Sequence, residues 1–347
     1  MASPSVGLTS GRVGVLRSLT AGTAFFGAAG VWTLVAAAAS GSRPWPILAV
    51  LVAAAATLVV TSLMTSLHRS AVPVALLIVA GALAIRPDIV ERKPTSGPFG
   101  YVNATGAFYM LAAIAALMLA ATSSRQRLRL AARVIAVACA VVPFAVGSMA
   151  SAWLVIAMPL IAVMLSKALP QRAVVAILAG IAACGLAATM ILGGAVGHSP
   201  SSGTLGKLAD TELSARRLAL WHDALTLIAT HPVTGVGPGR FAVESPTARS
   251  DSDTRWAHNG FLQFGAETGI PGLVLLLSIF AWGFATLARS APGTVSTLAA
   301  AGVAALAIVA SVDYVMSFPA IPLAASALVG TAIGGTAARQ RLKDEIQ

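Results

Sequence analysis

Charge is what this sequence has least of. Only 10% of its 347 residues are Asp, Glu, Lys or Arg, against about 25% in an ordinary globular protein. So few charges cannot cover a water-facing surface, which excludes a soluble enzyme. Acidic residues are the scarcer sign, 12 against 23 Lys and Arg, for a formal net charge of +11. Cys139 and Cys184 are the only cysteines and both lie in apolar runs, so a disulfide-stapled fold is excluded and no redox compartment is indicated. His-x-x-x-His and Cys-x-x-Cys spacings are missing, which removes the argument for zinc; no metal and no cofactor is expected. Glycine is plentiful at 32 but follows no Gly-X-Y period, which excludes a collagen-like chain. What is there is 57% hydrophobic content, a mean hydropathy of +0.85, and an Ala-Val-Leu background with Gly and Pro that suits close helix packing in a bilayer. The sequence reads as an all-α integral membrane protein.

Backbone polar groups have no partners in hydrocarbon, so each apolar run of about 17 to 25 residues should be a spanning helix. Ten are expected, at 18–40, 45–67, 70–86, 103–122, 129–147, 150–166, 173–193, 270–288, 294–316 and 319–337. The first run follows Arg12 and Arg17 but is too long for the apolar stretch of a signal peptide, and reads as a retained span. With the N-terminus inside, the cytoplasmic ends collect thirteen Lys and Arg, whereas the short outer loops hold four, Arg43, Arg86, Arg92 and Lys93. That asymmetry orients the chain with both termini cytoplasmic in the cytoplasmic (inner) membrane. After Asp344 and Glu345 are set against it, the cytoplasmic excess equals the whole net charge. The basicity is a topology signal, and nucleic acid is not an expected partner.

One connection is much longer than the rest. The expected organisation is a transmembrane bundle at 1–193, a large extracytoplasmic loop at 194–269, and a final bundle segment at 270–347 with a basic cytoplasmic tail. The loop opens on a Gly- and Ser-rich linker from Gly193 to Gly203. From Leu213 to Thr230 the apolar residues Leu213, Leu220, Trp221, Ala224, Leu227 and Ile228 fall on one helical stripe, ended by Pro232. This predicts an amphipathic helix lying on the outer membrane interface.

Arg217 interrupts that stripe. It either snorkels to lipid phosphate or points into a cleft where its planar fork binds a phosphate. Arg216, one position back, reads as a solvated charge near Asp223, though the two arginines are not separable from spacing. The run Gly235-Val236-Gly237-Pro238-Gly239-Arg240-Phe241 has neither a preceding strand nor a following Lys-Ser/Thr pair, so it is not a nucleotide loop. It is a tight turn or a place where turn amides and Arg240 touch an anion. Asp251-Ser252-Asp253 resembles a metal-binding pair, but Arg249 and Arg255 stand close enough to neutralise it and it reads as a solvated loop. His258-Asn259 stands at the membrane edge just before the eighth span. An imidazole there is either structural or a proton acceptor for a lipid-borne substrate. Asp313, near the outer end of the ninth span, is an intramembrane-edge carboxylate whose natural partner is a loop arginine.

The string Arg217-Leu218-Ala219-Leu220-Trp221, then His231-Pro232-Val233-Thr234-Gly235-Val236-Gly237-Pro238-Gly239-Arg240-Phe241, then His258-Asn259 ahead of Gly269-Ile270-Pro271-Gly272, resembles the O-antigen ligase and polymerase superfamily. The resemblance covers residues 213–275. It implies a metal-independent, GT-C-like membrane glycosyltransferase acting at the outer face of the cytoplasmic membrane. It also implies an undecaprenyl-diphosphate-linked glycan as donor and a glycan, lipid or protein hydroxyl as acceptor, with membrane lipid around the bundle. By the same resemblance Arg217 and His258 are catalytic, and a second essential arginine is expected among Arg240, Arg249 and Arg255; from the residues' own positions Arg216, Arg240, Arg255, Asn259 and Asp313 are candidates for substrate binding. The competing reading is a lipid-linked glycan transporter or flippase, in which Asp313 and the arginines would line a pathway. A mid-bilayer almost free of charge speaks against it.

Overall fold

The computed structural model describes residues 10–85, 98–196, 212–250 and 255–346, and within them every regular element is helical. Most of the Gly-Ser linker including His198, the Asp251 to Asp253 pair, and Arg86, Arg92 and Lys93 fall outside the described residues. The helices are α1 (Ser10–Ser40), α2 (Trp45–Leu67), α3 (Ala71–Ile85), α4 (Val102–Thr122), α5 (Gln126–Ala145), α6 (Met149–Leu165), α7 (Gln171–Val196), α8 (Glu212–Thr230), the single turns α9 (Phe241–Glu244) and α10 (Pro246–Arg249), α11 (Gly260–Arg289), α12 (Thr294–Val312) and α13 (Ala320–Ile346). Among the described residues, eight of these are long and apolar enough to cross a membrane, and α3 and α6 are shorter apolar helices. At 15 and 17 residues, α3 and α6 reach about 22 and 25 Å against a hydrocarbon core of about 30 Å. The chain is a multi-pass membrane protein.

Two helices form the centre. α4 and α12 are buried along most of their length, and their Ala-, Gly- and Ser-rich sequences explain why: small side chains let neighbouring backbones approach closely where no water drives association. A Cβ on Gly106 of α4 would run into Ser148. The tightest pairing is α2 with α13. Gly330 and Gly334, four residues apart on α13, lie against Thr61, Ser62 and Thr65 of α2, so a side chain at either glycine has no room. On the opposite flank α1 packs on α11, where Trp282 Nε1 donates to Ser18 O at 3.2 Å.

Two expected boundaries are corrected. The eighth span was placed at 270–288, but helix α11 begins at Gly260 and is broken at Gly269, whose φ of 73° and ψ of −176° are non-helical. Only glycine fits there, because φ is positive and a Cβ would collide with the Val233 carbonyl. The break is satisfied from outside the helix: Ile270 N donates to Pro232 O at 2.8 Å and Trp32 Nε1 of α1 donates to Thr268 O at 2.8 Å. The ninth span ends at Val312, short of the expected 316, because Asp313 turns to extended geometry at φ −155° and ψ 166°. A second small core lies outside the bundle, where Leu220, Trp221, Ala224, Leu227 and Ile228 of α8 pack with Val236, Phe241, Leu262 and Ala266. The apolar stripe of α8 therefore faces protein, which corrects the expectation that it would be left for the lipid surface.

The α2–α13 contact gives a stability test. Gly334→Leu should destabilise the protein by about 1–3 kcal/mol through overpacking, seen as a lower melting temperature in detergent. Gly335→Leu, at a position with nothing within 4 Å, should leave the melting temperature unchanged. Equal behaviour of the two variants would contradict the close packing.

Candidate functional site

The chemistry-bearing groups gather around Asp313. This carboxylate caps the end of α12 and is 2% exposed. Tyr101, just before α4, donates its hydroxyl to both carboxylate oxygens at 2.8 and 2.7 Å. Asn103 Nδ2 donates to Oδ2 at 2.6 Å and the Tyr314 amide to Oδ1 at 2.6 Å. Arg217 Nη2, from the first turns of α8, stands 3.5 Å from Oδ2, and His258 Nδ1 stands 3.7 Å from Oδ1. Burial alone would raise the carboxyl pKa, but His258, Tyr101 and Arg217 together outweigh it and hold Asp313 below the ordinary carboxylate range. The same burial, with the Asp313 charge adding to it, pushes the Tyr101 hydroxyl well above its usual value and that of Tyr314 up to about 12. Both tyrosines are neutral donors at physiological pH.

His258 is held by its backbone. Its φ of 48° is the one positive value on a non-glycine among the described residues, a conformation that costs about 1–3 kcal/mol and persists only where the surroundings impose it. They do so on every side. Ala257 N donates to Gln263 Oε1 at 3.1 Å, Trp221 Nε1 donates to His258 O at 3.1 Å, and Gly260 N donates to Asp313 O at 3.1 Å. Asn259 is the N-cap of α11: its Oδ1 accepts from Phe261 N and Leu262 N, and its Nδ2 donates to Thr189 Oγ1 at 3.1 Å. Asn259 is fully buried in that role, so the expectation that it binds substrate gives way to a capping function. The imidazole is 16% exposed. Its Nδ1 and the Arg217 Nε are both buried with no hydrogen-bond partner, two polar atoms that a bound group could satisfy.

The glycine-rich turn does a different job from cradling an anion. Val236 N and Gly237 N donate to Ala266 O and Glu267 O at 2.9 and 3.0 Å, and Gly239 N donates to Glu267 Oε2 at 2.9 Å. Its amides are thus tied to α11. Arg240 is likewise engaged, donating through Nη1 to Ser40 O at 3.2 Å and pairing through Nη2 with Glu244, with 42% of its side chain still exposed. Arg216 and Arg255 are exposed; Arg255 makes no ion pair among the described residues. Asp223 accepts from Ser245 Oγ at 2.5 Å and Thr247 N at 2.8 Å, so it fastens the loop turns to α8.

Beside this cluster lies a cavity of about 300 Å³ between α1, α2, α11, α12 and α13. Its depth is apolar, with Phe26, Leu58, Phe280 and Val303; its mouth carries the exposed Arg43, Gly239 and Trp256, and the buried Gln263 and Glu267 also belong to the lining. The Arg217, His258 and Asp313 side chains do not line it. Trp256 and Gly260 do, and they flank His258 in sequence, so cavity and cluster adjoin through that one segment. Sequence reasoning missed Tyr101, Asn103, Trp256, Arg43 and the buried pair Gln263 and Glu267. Polar residues at the start of the fourth span were the available signal for the first two; nothing local in the chain brings Arg43 to this mouth. Among the described residues, no three His, Cys, Asp or Glu form a metal-binding group.

Residues 147–277 match the family model described as O-antigen ligase. The match covers α6 to α10 and the first part of α11, and so includes Arg217 and His258 while leaving Tyr101 and Asp313 outside. A search of curated proteins finds no match to the chain.

The depressed Asp313 pKa sets a pH signature. A carboxyl lowered by folding contributes stability that is complete above its unfolded pKa of about 3.9 and is lost as pH falls through the lower folded value. Asp313→Asn should therefore lower the melting temperature throughout pH 8 to pH 5, by an amount that does not shrink as the pH falls across that range. The gap between wild type and variant should close only in stronger acid. A gap that narrows between pH 8 and pH 5 would contradict the lowered pKa.

Proposed function

We propose that the chain, of which residues 147–277 match the family model described as O-antigen ligase, is a metal-independent, GT-C-like glycosyltransferase. It moves a glycan from an undecaprenyl-diphosphate-linked donor to an acceptor hydroxyl at the outer face of the cytoplasmic membrane. The acceptor is a glycan, a lipid or a protein. The observation that carries this reading is the pairing of His258 Nδ1 and Arg217 Nη2 on one buried carboxylate, Asp313.

Asp313 faces Nδ1 of the imidazole, which leaves Nε2 as the nitrogen turned to substrate. In this reading Nε2 takes the acceptor hydroxyl proton as the acceptor oxygen attacks the anomeric carbon, and the bond from that carbon to the diphosphate oxygen breaks. The buried carboxylate stabilises the imidazolium so formed. Arg217, with an unpartnered Nε and a partly exposed head, stabilises the negative charge on the departing lipid diphosphate, and a fixed guanidinium in a site of low dielectric does this better than water. One displacement inverts the anomeric configuration. The apolar depth of the adjoining cavity suits a polyprenyl chain, and Arg43 at its mouth supplies a second guanidinium for a phosphate. The division into bundle segments at 1–193 and 270–347 around a catalytic loop at 194–269, with both termini cytoplasmic, is supported by the Lys and Arg asymmetry of the short loops.

The test is glycan transfer by purified protein in liposomes, with lipid-linked donor, acceptor and EDTA. Wild type should be active. His258→Ala and Arg217→Ala should each lose at least about 10²-fold in rate, and Arg217→Lys should stay low because an ammonium lacks the planar fork. Retained activity in a folded His258→Ala protein would remove the base from the mechanism. Sensitivity to EDTA would refute metal independence, and movement of the lipid-linked glycan across the bilayer without transfer would replace the transferase by a flippase.

A further inference from the structure

Four aromatic rings form a ladder beside His258, closed at one end into a triangle because Phe318 also meets Tyr314, at 5.8 Å and 34°. Phe318 stacks on Tyr101 with ring centroids 5.6 Å apart and planes 6° apart, Tyr101 stacks on Tyr314 at 4.7 Å and 28°, and Tyr314 stacks on Trp256 at 5.3 Å and 9°. His258 meets Tyr314 edge-on at 5.0 Å. Trp256 is the outermost ring. One of its faces is covered by Tyr314, yet the residue is 38% exposed and lines the mouth of the cavity.

We infer that the open face of Trp256 is a stacking platform for a pyranose ring of the glycan handled at this site. The inference rests on the transferase reading above and extends it to the sugar. An aromatic face carries negative charge density and its edge positive, so the weakly positive C–H groups on the flat side of a pyranose are attracted to the indole face while the ring hydroxyls point outward. Exposed polar side chains that such hydroxyls need line the same cavity: Arg43 and Ser317. A membrane-belt role is a poor account of this tryptophan. Trp45 and Trp153 have the exposure of belt residues, at 67% and 65%, whereas Trp256 is fixed by stacking and sits two residues from His258. The ladder also explains why the ring is held: through Tyr314 and Tyr101 its orientation is locked to Asp313, the same carboxylate that faces His258. Sugar position and base position are then set by one framework.

The platform is tested on the full-length protein in detergent and in liposomes, with Trp256→Ala, Trp256→Phe and Trp153→Phe as variants of confirmed melting temperature. The soluble probes are β-1,4-linked glucopentaose and the lipid-free glycan released from the donor by mild acid. The expected result is that a probe quenches wild-type and Trp153→Phe tryptophan fluorescence and that this response is lost in Trp256→Ala. In transfer assays Trp256→Ala should raise the KM for one glycan substrate about tenfold with kcat within about twofold, and Trp256→Phe, which keeps an aromatic face, should restore most of the loss. A raised KM for the lipid-linked donor assigns the platform to the donor glycan, and a raised KM for the acceptor assigns it to the acceptor. Unchanged quenching and unchanged KM values in Trp256→Ala overturn the platform and leave the transferase standing. Quenching that depends on Trp256 in a protein that transfers nothing overturns the transferase and leaves the sugar site.

Discussion

A carboxylate that is almost wholly buried at the edge of a membrane bundle is the constraint from which the site follows. Removing an ionised carboxyl from water is costly unless charge and hydrogen bonds replace the lost hydration. Asp313 answers with donors from four separate stretches: Tyr101 and Asn103 at the start of α4, Arg217 on α8, His258 before α11, and the following Tyr314 amide. The carboxylate thereby fixes the position of the outer ends of both central helices relative to the loop helix. Its partners are not equivalent. Tyr101 and Asn103 are at full hydrogen-bond distance and saturate the anion, whereas Arg217 and His258 are held at 3.5 and 3.7 Å. At those separations both feel the charge but keep donors for something else.

Precision at His258 comes from the backbone more than from its side chain. A positive φ at histidine would relax if the flanking residues were free, but Trp221, Thr189, Gln263 and the Asp313 carbonyl each fasten one atom of residues 257 to 260. The glycine-rich turn adds a further fastening, since its amides lock the loop to the first segment of α11 through Ala266 and Glu267. A turn whose spacing suggests anion binding thus works as a clasp. Electrostatic stabilisation of a transition state depends on groups that need not reorganise, and this loop, though outside the bundle, is tied to it with the density of a core.

The bundle was legible from composition and hydropathy because apolar length is a local property: the ten runs correspond to helices, with errors at the two ends where polar chemistry intrudes. Gly269 broke α11 where the sequence had ended a loop, and the broken piece before it remained helical because Asn259 caps it. Asp313 ended α12 early for the same kind of reason, its side chain being drawn inward by partners about 210 residues away in the chain. The stripe of α8, with Arg217 out of place within it, was legible from helical spacing. Its partner surface was not, because periodicity shows that a face is apolar without saying whether lipid or protein covers it. Arg240 and Asn259 illustrate the limit more sharply. Both were singled out by position beside other candidates, and both also make local contacts that spacing permits, Arg240 with Glu244 four residues on and Asn259 with the first amides of α11; the contact that no spacing encodes is that of Arg240 with Ser40, 200 residues away.

The separation of a polar cluster from an apolar cavity is a physical advantage for a substrate with two dissimilar ends. Burying a lipid chain yields affinity in proportion to its length, about 0.8 kcal/mol per CH₂ group, without demanding a single geometry. Chemistry at a sugar–phosphate bond demands the opposite, a few fixed charges in fixed places. Placing both demands in one pocket would surround Asp313 with lipid in the absence of substrate and weaken the donors that hold it. Here Trp256 and Gly260 line the cavity while His258, between them, turns toward Asp313. A single five-residue stretch from Trp256 to Gly260 therefore divides the wet side from the oily side, and the alternation of its side chains, with Ala257 and Asn259 buried as anchors, is what allows one short segment to serve both.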